Sequence, residues 1–269
     1  TSPRPSQFLH LFISACRSVD EPINEGLCSS FRKSLYQHNP LTFIHNGNYD
    51  IKIIHAFNRA LSMTRTTSNV IIGGVNFPDL FLSLSNILQE NKSIHELTIQ
   101  NYPLSNGFSQ FINSIQLTKL NSLTFEHVQF SNEMVQYLVE NIPIGFNSLT
   151  FINSNFDSLQ FSQFNKIFKR NVKKIKICKD DQPMPFEVIP DFFKLAIQSQ
   201  LKSLCLSYMN IDIASIFTFL NGVDMQLEKL DLSGNFCSSI FTGKYNISSS
   251  LTTINLKSVQ WEETTLIMF

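Results

Sequence analysis

An eleven-residue pattern returns along this chain at nearly constant intervals. Three segments show it most clearly: IHELTIQNYPL at 94–104, LNSLTFEHVQF at 120–130 and FNSLTFINSNF at 146–156. Each segment has large apolar residues at its first, fourth, sixth and eleventh places, and successive starts lie 26 residues apart. A fixed period of this length is typical of stacked supersecondary units, so the pattern constrains the architecture before any single residue is considered.

Further matches to this pattern cover most of the chain. The eight clear repeat starts are Thr67, Ile94, Leu120, Phe146, Val172, Leu201, Leu227 and Leu251. Two weaker candidates begin at Phe8 and Pro40. We therefore expect about 8–10 repeats. Residues 1–39 are predicted to form an N-terminal capping segment or a degenerate first repeat, and residues 40–269 the repeat domain.

Each repeat is predicted to contain a short strand followed by a helix. The fourth place is apolar in all ten candidates, and the sixth is apolar in nine, with His45 as the exception. This alternation with a period of two indicates a strand with one buried face. The second half of the repeats has apolar spacings of three and four, as at 192–197, which indicate a helix. Ser131 is the predicted N-cap of one such helix.

Stacking follows because one repeat cannot cover its own apolar face and its neighbours must do so. Parallel strands lie about 4.8 Å apart, whereas helices are wider, so a stack with strands inside and helices outside curves. The predicted fold is therefore an α/β solenoid, a curved horseshoe with parallel strands on the concave side and helices on the convex side.

The segment LEKLDLSGNFC at 227–237 resembles the leucine-rich repeat, and the strand–helix alternation resembles the ribonuclease-inhibitor class of that superfamily. The chain departs from the family at the ninth place, where the usual Asn occurs only as Asn48 and Asn235. An Asn there binds loop backbone, so we expect the other repeats to satisfy their loops in another way. Phe, which occurs 25 times, is expected to replace Leu as the core residue.

Within that superfamily, the irregular spacing of 24–29 residues and the segment 60–99 are similar to the repeat domain of CARMIL proteins. Those proteins are cytoplasmic regulators of actin-filament capping. The resemblance implies a cytoplasmic scaffold in actin regulation. In that family the motifs that bind capping protein lie in a disordered C-terminal region, so this chain is expected to be the scaffold part only.

Composition and spacing argue against several other classes of protein. The formal net charge is zero, which gives no indication of a nucleic-acid partner, and no apolar run reaches the 18 residues of a membrane span. The five cysteines contain no CxxC pair, so we expect buried or half-buried free thiols in a reducing cytosol. No phosphate-binding loop, catalytic triad or metal-ligand cluster is recognisable. We therefore predict a non-catalytic protein with no cofactor and no metal.

The exposed face of the strands is the predicted binding surface for a protein partner. Side chains at the third, fifth, seventh and eighth places should lie on this face. The candidates are Glu96, Thr98, Gln100, Glu126, His127, Lys174, Lys176, Lys179, Tyr208, Lys229 and Asp231.

Several of these candidates have two interpretations. The basic run at 169–179 is either a docking patch for an acidic peptide or lipid headgroup, or a solvated face that Asp180 and Asp181 partly neutralise. Tyr208 is either an interface anchor or an ordinary packing residue. Next to Glu126, His127 suggests acid–base chemistry, but an ordinary surface histidine is the expected interpretation.

Other segments also carry expectations. Trp261 falls at an eleventh place and is expected in the core. The loop at 178–185 lengthens its repeat and is either a binding loop or neutral drift. The chain ends in LIMF, which is predicted to enter a further helix and leaves an uncapped stack end. We therefore expect further repeats, a capping segment or burial by a partner, and either a monomer or end-to-end self-association through the last repeat.

The favoured function is a non-catalytic protein–protein interaction scaffold. One alternative is a GTPase activator of the type that leucine-rich repeat proteins provide for Ran. A second alternative is an extracellular or surface recognition domain, which disulfides between the cysteines would favour.

Overall fold

The structure is a computed structural model that describes residues 6–103, 106–154, 156–179, 189–239 and 245–261. The helices are α1 (Ser6–Ser18), α2 (Glu25–Tyr36), α3 (Ile51–Met63), α4 (Leu80–Glu90), α5 (Phe108–Ile115), α6 (Asn132–Asn141), α7 (Ser158–Phe164), α8 (Ile189–Gln198) and α9 (Ile213–Leu220). A 3-10 segment, Asn165–Arg170, follows α7.

The strands alternate with these helices along most of the chain. They are β1 (Leu41–Ile44), β2 (Asn69–Gly73), β3 (Glu96–Gln100), β4 (Ser122–Glu126), β5 (Ser148–Ile152), β6 (Lys174–Cys178), β7 (Ser203–Ser207), β8 (Lys229–Asp231), β9 (Phe236–Cys237), β10 (Thr253–Asn255) and β11 (Gln260–Trp261). The nine main strands, β1 to β8 and β10, lie at the eight clear repeats and at the weaker repeat near Pro40. The predicted α/β fold of parallel strands alternating with helices is thus confirmed, and it is compatible with a repeat solenoid.

Two compact units make up the chain. The first consists of Thr1–Gln129 with Asn141–Pro143, and the second of Phe130–Glu140 with Ile144–Phe269.

In the first unit, β1 to β4 pair in parallel in the order of the chain. Their fourth and sixth places form two buried rows, because alternate side chains of a strand point to the same face. One row contains Leu41, Val70, Leu97 and Leu123, and the other contains Phe43, Ile72, Ile99 and Phe125.

In the second unit, β5, β6, β7, β8 and β10 pair in parallel, again in the order of the chain. The fourth places Leu149, Ile175, Leu204 and Leu230 form one buried row, which continues to the partly exposed Ile254. Within each unit the predicted buried face of the strands is therefore confirmed. A second, two-stranded sheet joins β9 to β11 after the turns of the last two repeats.

The prediction of a strand near Phe8 was wrong, because this segment forms α1. Its buried residues are Phe8, Phe12, Ala15 and Cys16. Their spacings of four, three and one follow a helical face, which a search for the strand pattern overlooks. Residues 1–39 thus contain α1 and α2, and their assignment as a capping segment or degenerate repeat stays a prediction.

The register predicted for the repeat at Pro40 was wrong by two residues. Leu41 pairs with Val70 and Phe43 with Ile72, so Phe43 occupies the sixth place and not the fourth. A strand pattern with a period of two fits equally well after a shift of two residues, so only strand pairing can choose between them. The apparent exception at His45 disappears, and Asn48 no longer occupies a ninth place.

The repeat that begins at Leu227 departs from the predicted strand–helix order. Between β9 and β10, the described residues 238–239 and 245–252 are irregular and contain no helix. The helix predicted for this repeat is therefore not present in that part of the chain.

Phenylalanine fills much of the core, as predicted. The N-terminal cluster joins both helices before β1 to the first repeat: the Phe43 and Phe57 rings stack with their centroids 4.3 Å apart, and Phe31 packs against both. Phe8 contacts Phe31 and Phe57 edge to face. Such pairs stabilise the core by about 0.5–1.5 kcal/mol each beyond the burial of their area.

Two repeats bind the backbone of the preceding repeat through different ninth-place side chains. Buried Asn235 accepts hydrogen bonds from the N–H groups of Met209 and Ile211. In an earlier repeat the ninth place is Tyr102, whose hydroxyl oxygen accepts a hydrogen bond from the N–H of Leu80 at the start of α4. In this repeat a tyrosine thus binds the backbone of the preceding repeat where the Asn is missing.

Helix caps explain where several helices begin. The hydroxyl of Ser131 accepts a hydrogen bond from the N–H of Met134, which confirms Ser131 as the predicted N-cap of α6. Asp157 and Gln160 form a capping box at α7. After Phe164 the segment tightens into the 3-10 form.

Candidate binding surface

Most of the predicted site residues lie on the exposed face of the strands. In the first unit, Glu96 and His127 are exposed, and Thr98, Gln100 and Glu126 are half-buried. In the second unit, Lys174, Lys176, Tyr208 and Lys229 are exposed, and Asp231 is half-buried. Burial alternates along each strand, so the candidates within the strands lie on the face opposite the core, whereas His127 and Tyr208 directly follow their strands.

The carboxylates on the first unit's strand face are held by amides from neighbouring strands. The side chain of Asn69 on β2 donates a hydrogen bond to Glu96 on β3 at 2.8 Å. The side chain of Gln100 on β3 donates to Glu126 on β4. Thr98 lies between Ile71 and Thr124 in the row between these pairs. The polar groups on this part of the face are thus largely satisfied within the chain.

His127 follows β4 in a tight turn. Its backbone is left-handed, with φ of 52°, and its side chain is exposed. The same turn is left-handed at Asn101, Asn153 and Tyr208, which occupy the same place in other repeats. The position therefore belongs to the turn geometry, and His127 is a surface histidine, as expected.

Three exposed lysines lie on the second unit's strand face. Lys174 on β6 pairs with Ser203, which pairs with Lys229 on β8, so both lysines lie in one row. Lys176 lies two residues further along β6, in a row with Cys205, Asp231 and Asn255.

These three lysines form no ion pair with the described residues. Within 4 Å, the ion pairs are Lys166–Glu140 at 3.6 Å and Lys202–Glu228 at 3.0 Å. Asp231 lies on the same face, in the row of Lys176, and its oxygens accept hydrogen bonds from Ser233 and from the side chain of Asn255. Among the described residues, the charges of these three lysines are therefore not paired.

Tyr208 shows features of both of its interpretations. One face of its ring packs on Gly234, where an added Cβ would lie 2.3 Å from a ring carbon. The residue is nevertheless 49% exposed. Tyr208 is therefore fixed by packing on one side and accessible on the other, which suits an aromatic contact residue.

The expectation that Lys179 lies on the exposed strand face was wrong, because this residue is only 3% exposed. Its N–H donates to the carbonyl of Ser207, and burial lowers the pKa of its ammonium group. Lys179 follows the end of β6, where strand alternation no longer determines the direction of a side chain.

The basic run at 169–179 does not form one patch. The Nε of Arg170 donates to the backbone carbonyl of Val139 at 3.1 Å, so this residue binds α6. Lys169 lines a cleft of about 450 Å³ between the 3-10 segment and α8, together with Phe168 and Leu195. Only Lys174 and Lys176 face the exposed side of the strands. The cleft could not be predicted from the sequence, because its walls come from two different repeats.

The five cysteines are thiols and form no disulfide, as expected, and three of them are buried. Cys205 lies half-buried on the strand face between Lys176 and Asp231. Burial raises the pKa of its thiol, which also contacts the Ser207 hydroxyl at 3.5 Å. Trp261, expected in the core, is half-buried in β11.

Some expectations concern residues outside the described ranges. These are Asp180 and Asp181, most of the loop at 178–185, and the C-terminal LIMF. In the described ranges, no group of three His, Cys, Asp or Glu side chains could hold a metal ion. Nor does any helix found there have the length and apolar character needed to cross a bilayer. Comparison of the chain with protein-family models and with characterised proteins finds no match.

Proposed function

We propose that this chain is a non-catalytic scaffold that binds a protein partner through the exposed face of its strands. The observation that supports this proposal is the ordered set of exposed and half-buried polar side chains that the strand register aligns in each unit. Their backbone is fixed by ladder hydrogen bonds, so little conformational entropy is lost when a partner binds.

The narrower proposal is a leucine-rich repeat domain that serves a cytoplasmic actin regulator. It rests on the sequence resemblance at 227–237 and on the spacing that is similar to CARMIL proteins. The alternation of parallel strands and helices is compatible with that family.

Affinity purification of the full chain with quantitative mass spectrometry tests the proposal. The test variant Lys176→Glu reverses a charge on the strand face, and Thr98→Arg adds bulk to the first unit's face. The matched control is Lys194→Glu, because Lys194 is an exposed lysine on α8 of the second unit. We expect at least one specific partner to be lost with a strand-face variant and retained with the control.

The opposite pattern would contradict the proposal. If every specific partner survived both strand-face variants and was lost with Lys194→Glu, the helix side would be the binding surface. Specific partners without any actin regulator among them would remove the narrower proposal and leave the broader one. A large acceleration of GTP hydrolysis by Ran on addition of the purified chain would show an enzyme-activating role instead.

A further inference from the structure

Lys174, Lys176 and Lys229 of the second unit, together with Tyr208, form what we call the cationic face. All four side chains are exposed, and the lysines lie on two strands separated only by β7. No described carboxylate forms an ion pair with any of the three lysines. This differs from the first unit, where side-chain amides bind Glu96 and Glu126.

The spacing of the lysines matches an extended peptide. Lys174 and Lys176 are two residues apart on one strand, which places them about 6.6 Å apart. Alternate side chains of an extended peptide recur at the same interval. Lys229 lies in the row of Lys174 but two strands away, about 10 Å from it. An extended segment lying along β6 could therefore present carboxylates to Lys174 and Lys176 at once, with Lys229 at its side.

The size of the face also favours a peptide. The five paired strands of the second unit span about 24 Å, and the longest of them are about 16 Å long. Their exposed face therefore has a projected area of about 400 Å². A folded partner typically covers about 800 Å² on each side of a stable interface. The exposed ring of Tyr208 adds an anchor for an apolar or aromatic residue, because tyrosine contributes contact area at a low entropic cost.

A lipid surface fits the same residues less well. Each lysine near an anionic membrane contributes about 1 kcal/mol, and lipid-binding clusters typically contain about 4–8 basic residues. Three lysines fall below that range, and the exposed Tyr208 ring that follows β7 offers a peptide a further contact.

We infer that the cationic face binds an extended acidic segment of a partner protein, with carboxylates at alternate positions that pair with Lys174 and Lys176. This inference rests on the proposed function and adds the chemistry of the partner. The second unit would then act as the acidic-peptide reader of the scaffold.

Fluorescence anisotropy tests the inference with a fluorescein-labelled (Glu-Ser)₅ peptide and the full chain at low salt. A block peptide of the same composition, Glu₅Ser₅, tests the spacing. We expect Lys174→Gln, Lys176→Gln and Lys229→Gln each to weaken binding about two- to fivefold, as single exposed ion pairs do, and the triple variant about tenfold or more. Lys194→Gln, the matched control on α8, should leave the affinity unchanged, and (Glu-Ser)₅ should bind more tightly than the block peptide.

Tyr208→Asn provides a second check. Asn tolerates the left-handed backbone at this position, so the variant removes the ring without forcing the turn to change. We expect it to weaken binding of a (Glu-Ser)₅ peptide extended by Phe more than binding of the unextended peptide. Circular dichroism confirms that each variant is folded.

Three results would overturn the inference: no binding of (Glu-Ser)₅, an equal loss of affinity with Lys194→Gln, or binding to phosphatidylserine vesicles without binding to the peptide. These failures are distinct from a failure of the scaffold proposal. Partners that are lost with Thr98→Arg in the affinity purification would keep the scaffold function and move the binding site to the first unit.

Discussion

Asn235 lies in the turn after β8 and connects the backbones of two successive repeats. Its Oδ1 accepts hydrogen bonds from the N–H groups of Met209 and Ile211, each at 3.0 Å. Its Nδ2 donates to the carbonyls of Leu206 and Leu232 at 2.7 and 2.8 Å. The side chain is 1% exposed, so water cannot replace it as a partner for these four backbone groups.

Asn235→Ala should therefore destabilise the second unit strongly. Each buried backbone group that loses its partner costs about 1 kcal/mol or more, so four groups give about 4 kcal/mol. This is a large share of the about 5–15 kcal/mol that stabilises a typical domain. The loss exceeds what the removal of a few apolar atoms would cause, because unsatisfied polar groups remain in the core.

Urea unfolding monitored by tryptophan fluorescence measures this effect. Trp261 is the only tryptophan of the chain and lies in the second unit, so its emission reports on the unit that contains Asn235. The control is Gln226→Ala, which removes an exposed amide of the same unit and should change the unfolding free energy by less than about 0.5 kcal/mol. If Asn235→Ala lowered the free energy of unfolding by no more than this control, the conclusion that the four hydrogen bonds stabilise the unit would be refuted.

Three further predictions concern the core, a turn and a carboxylate. Phe57→Ala should lower the free energy of unfolding by about 3–5 kcal/mol, because the ring is fully buried among other rings. Urea unfolding followed by circular dichroism measures this, and the control Tyr36→Ala, at an exposed ring, should change the free energy very little. Equal losses would contradict the prediction. His127→Asn should raise the free energy of unfolding by about 0.5 kcal/mol, because Asn accepts the left-handed backbone more readily. The change should appear as a small rise in Tm. A fall in Tm would argue against a strained turn at this position. Burial raises the pKa of the Asp212 carboxyl, but hydrogen bonds from Ser238, Ala214 and Ser215 outweigh it, so the net pKa is lowered. Its contribution to stability is present above the unfolded pKa of about 3.9 and is lost as the pH falls through the lower folded pKa. Asp212→Asn should therefore flatten the decline of the urea midpoint below about pH 4, and an unchanged decline would disprove this role.

The repeated strands could be predicted from the sequence because their signal is local. Leu97 and Ile99, or Leu123 and Phe125, alternate with polar residues over only five positions, and a strand with one buried face requires this alternation. The fixed interval between such segments then implies that neighbouring repeats cover each other. The structure confirms the strands, their parallel order within each unit and the buried rows.

Where two patterns fit the same residues, the sequence alone could not predict the local structure. The segment near Phe8 carries both a strand-like and a helix-like spacing, and it folds as α1. The repeat at Pro40 fits two registers that differ by two residues, and only pairing between Leu41 and Val70 selects one. The direction of Lys179 could not be predicted either, because it follows the last residue of β6.

The charges of the candidate site also include some features that the sequence predicts and others that only the tertiary structure shows. That Lys174 and Lys176 share a face follows from their spacing in the sequence. That Lys229 lies in the row of Lys174 depends on strands far apart in the chain, and so does the fact that Asp231 is bound by Ser233 and Asn255 and not by a described lysine. The sequence by itself determined the repeat, the strands and the residue types on each face, because these depend on intervals of a few residues. Only the tertiary structure decided the strand register, the burial of Lys179 and which of the described charges form no ion pair. These features depend on contacts between residues that are distant in sequence.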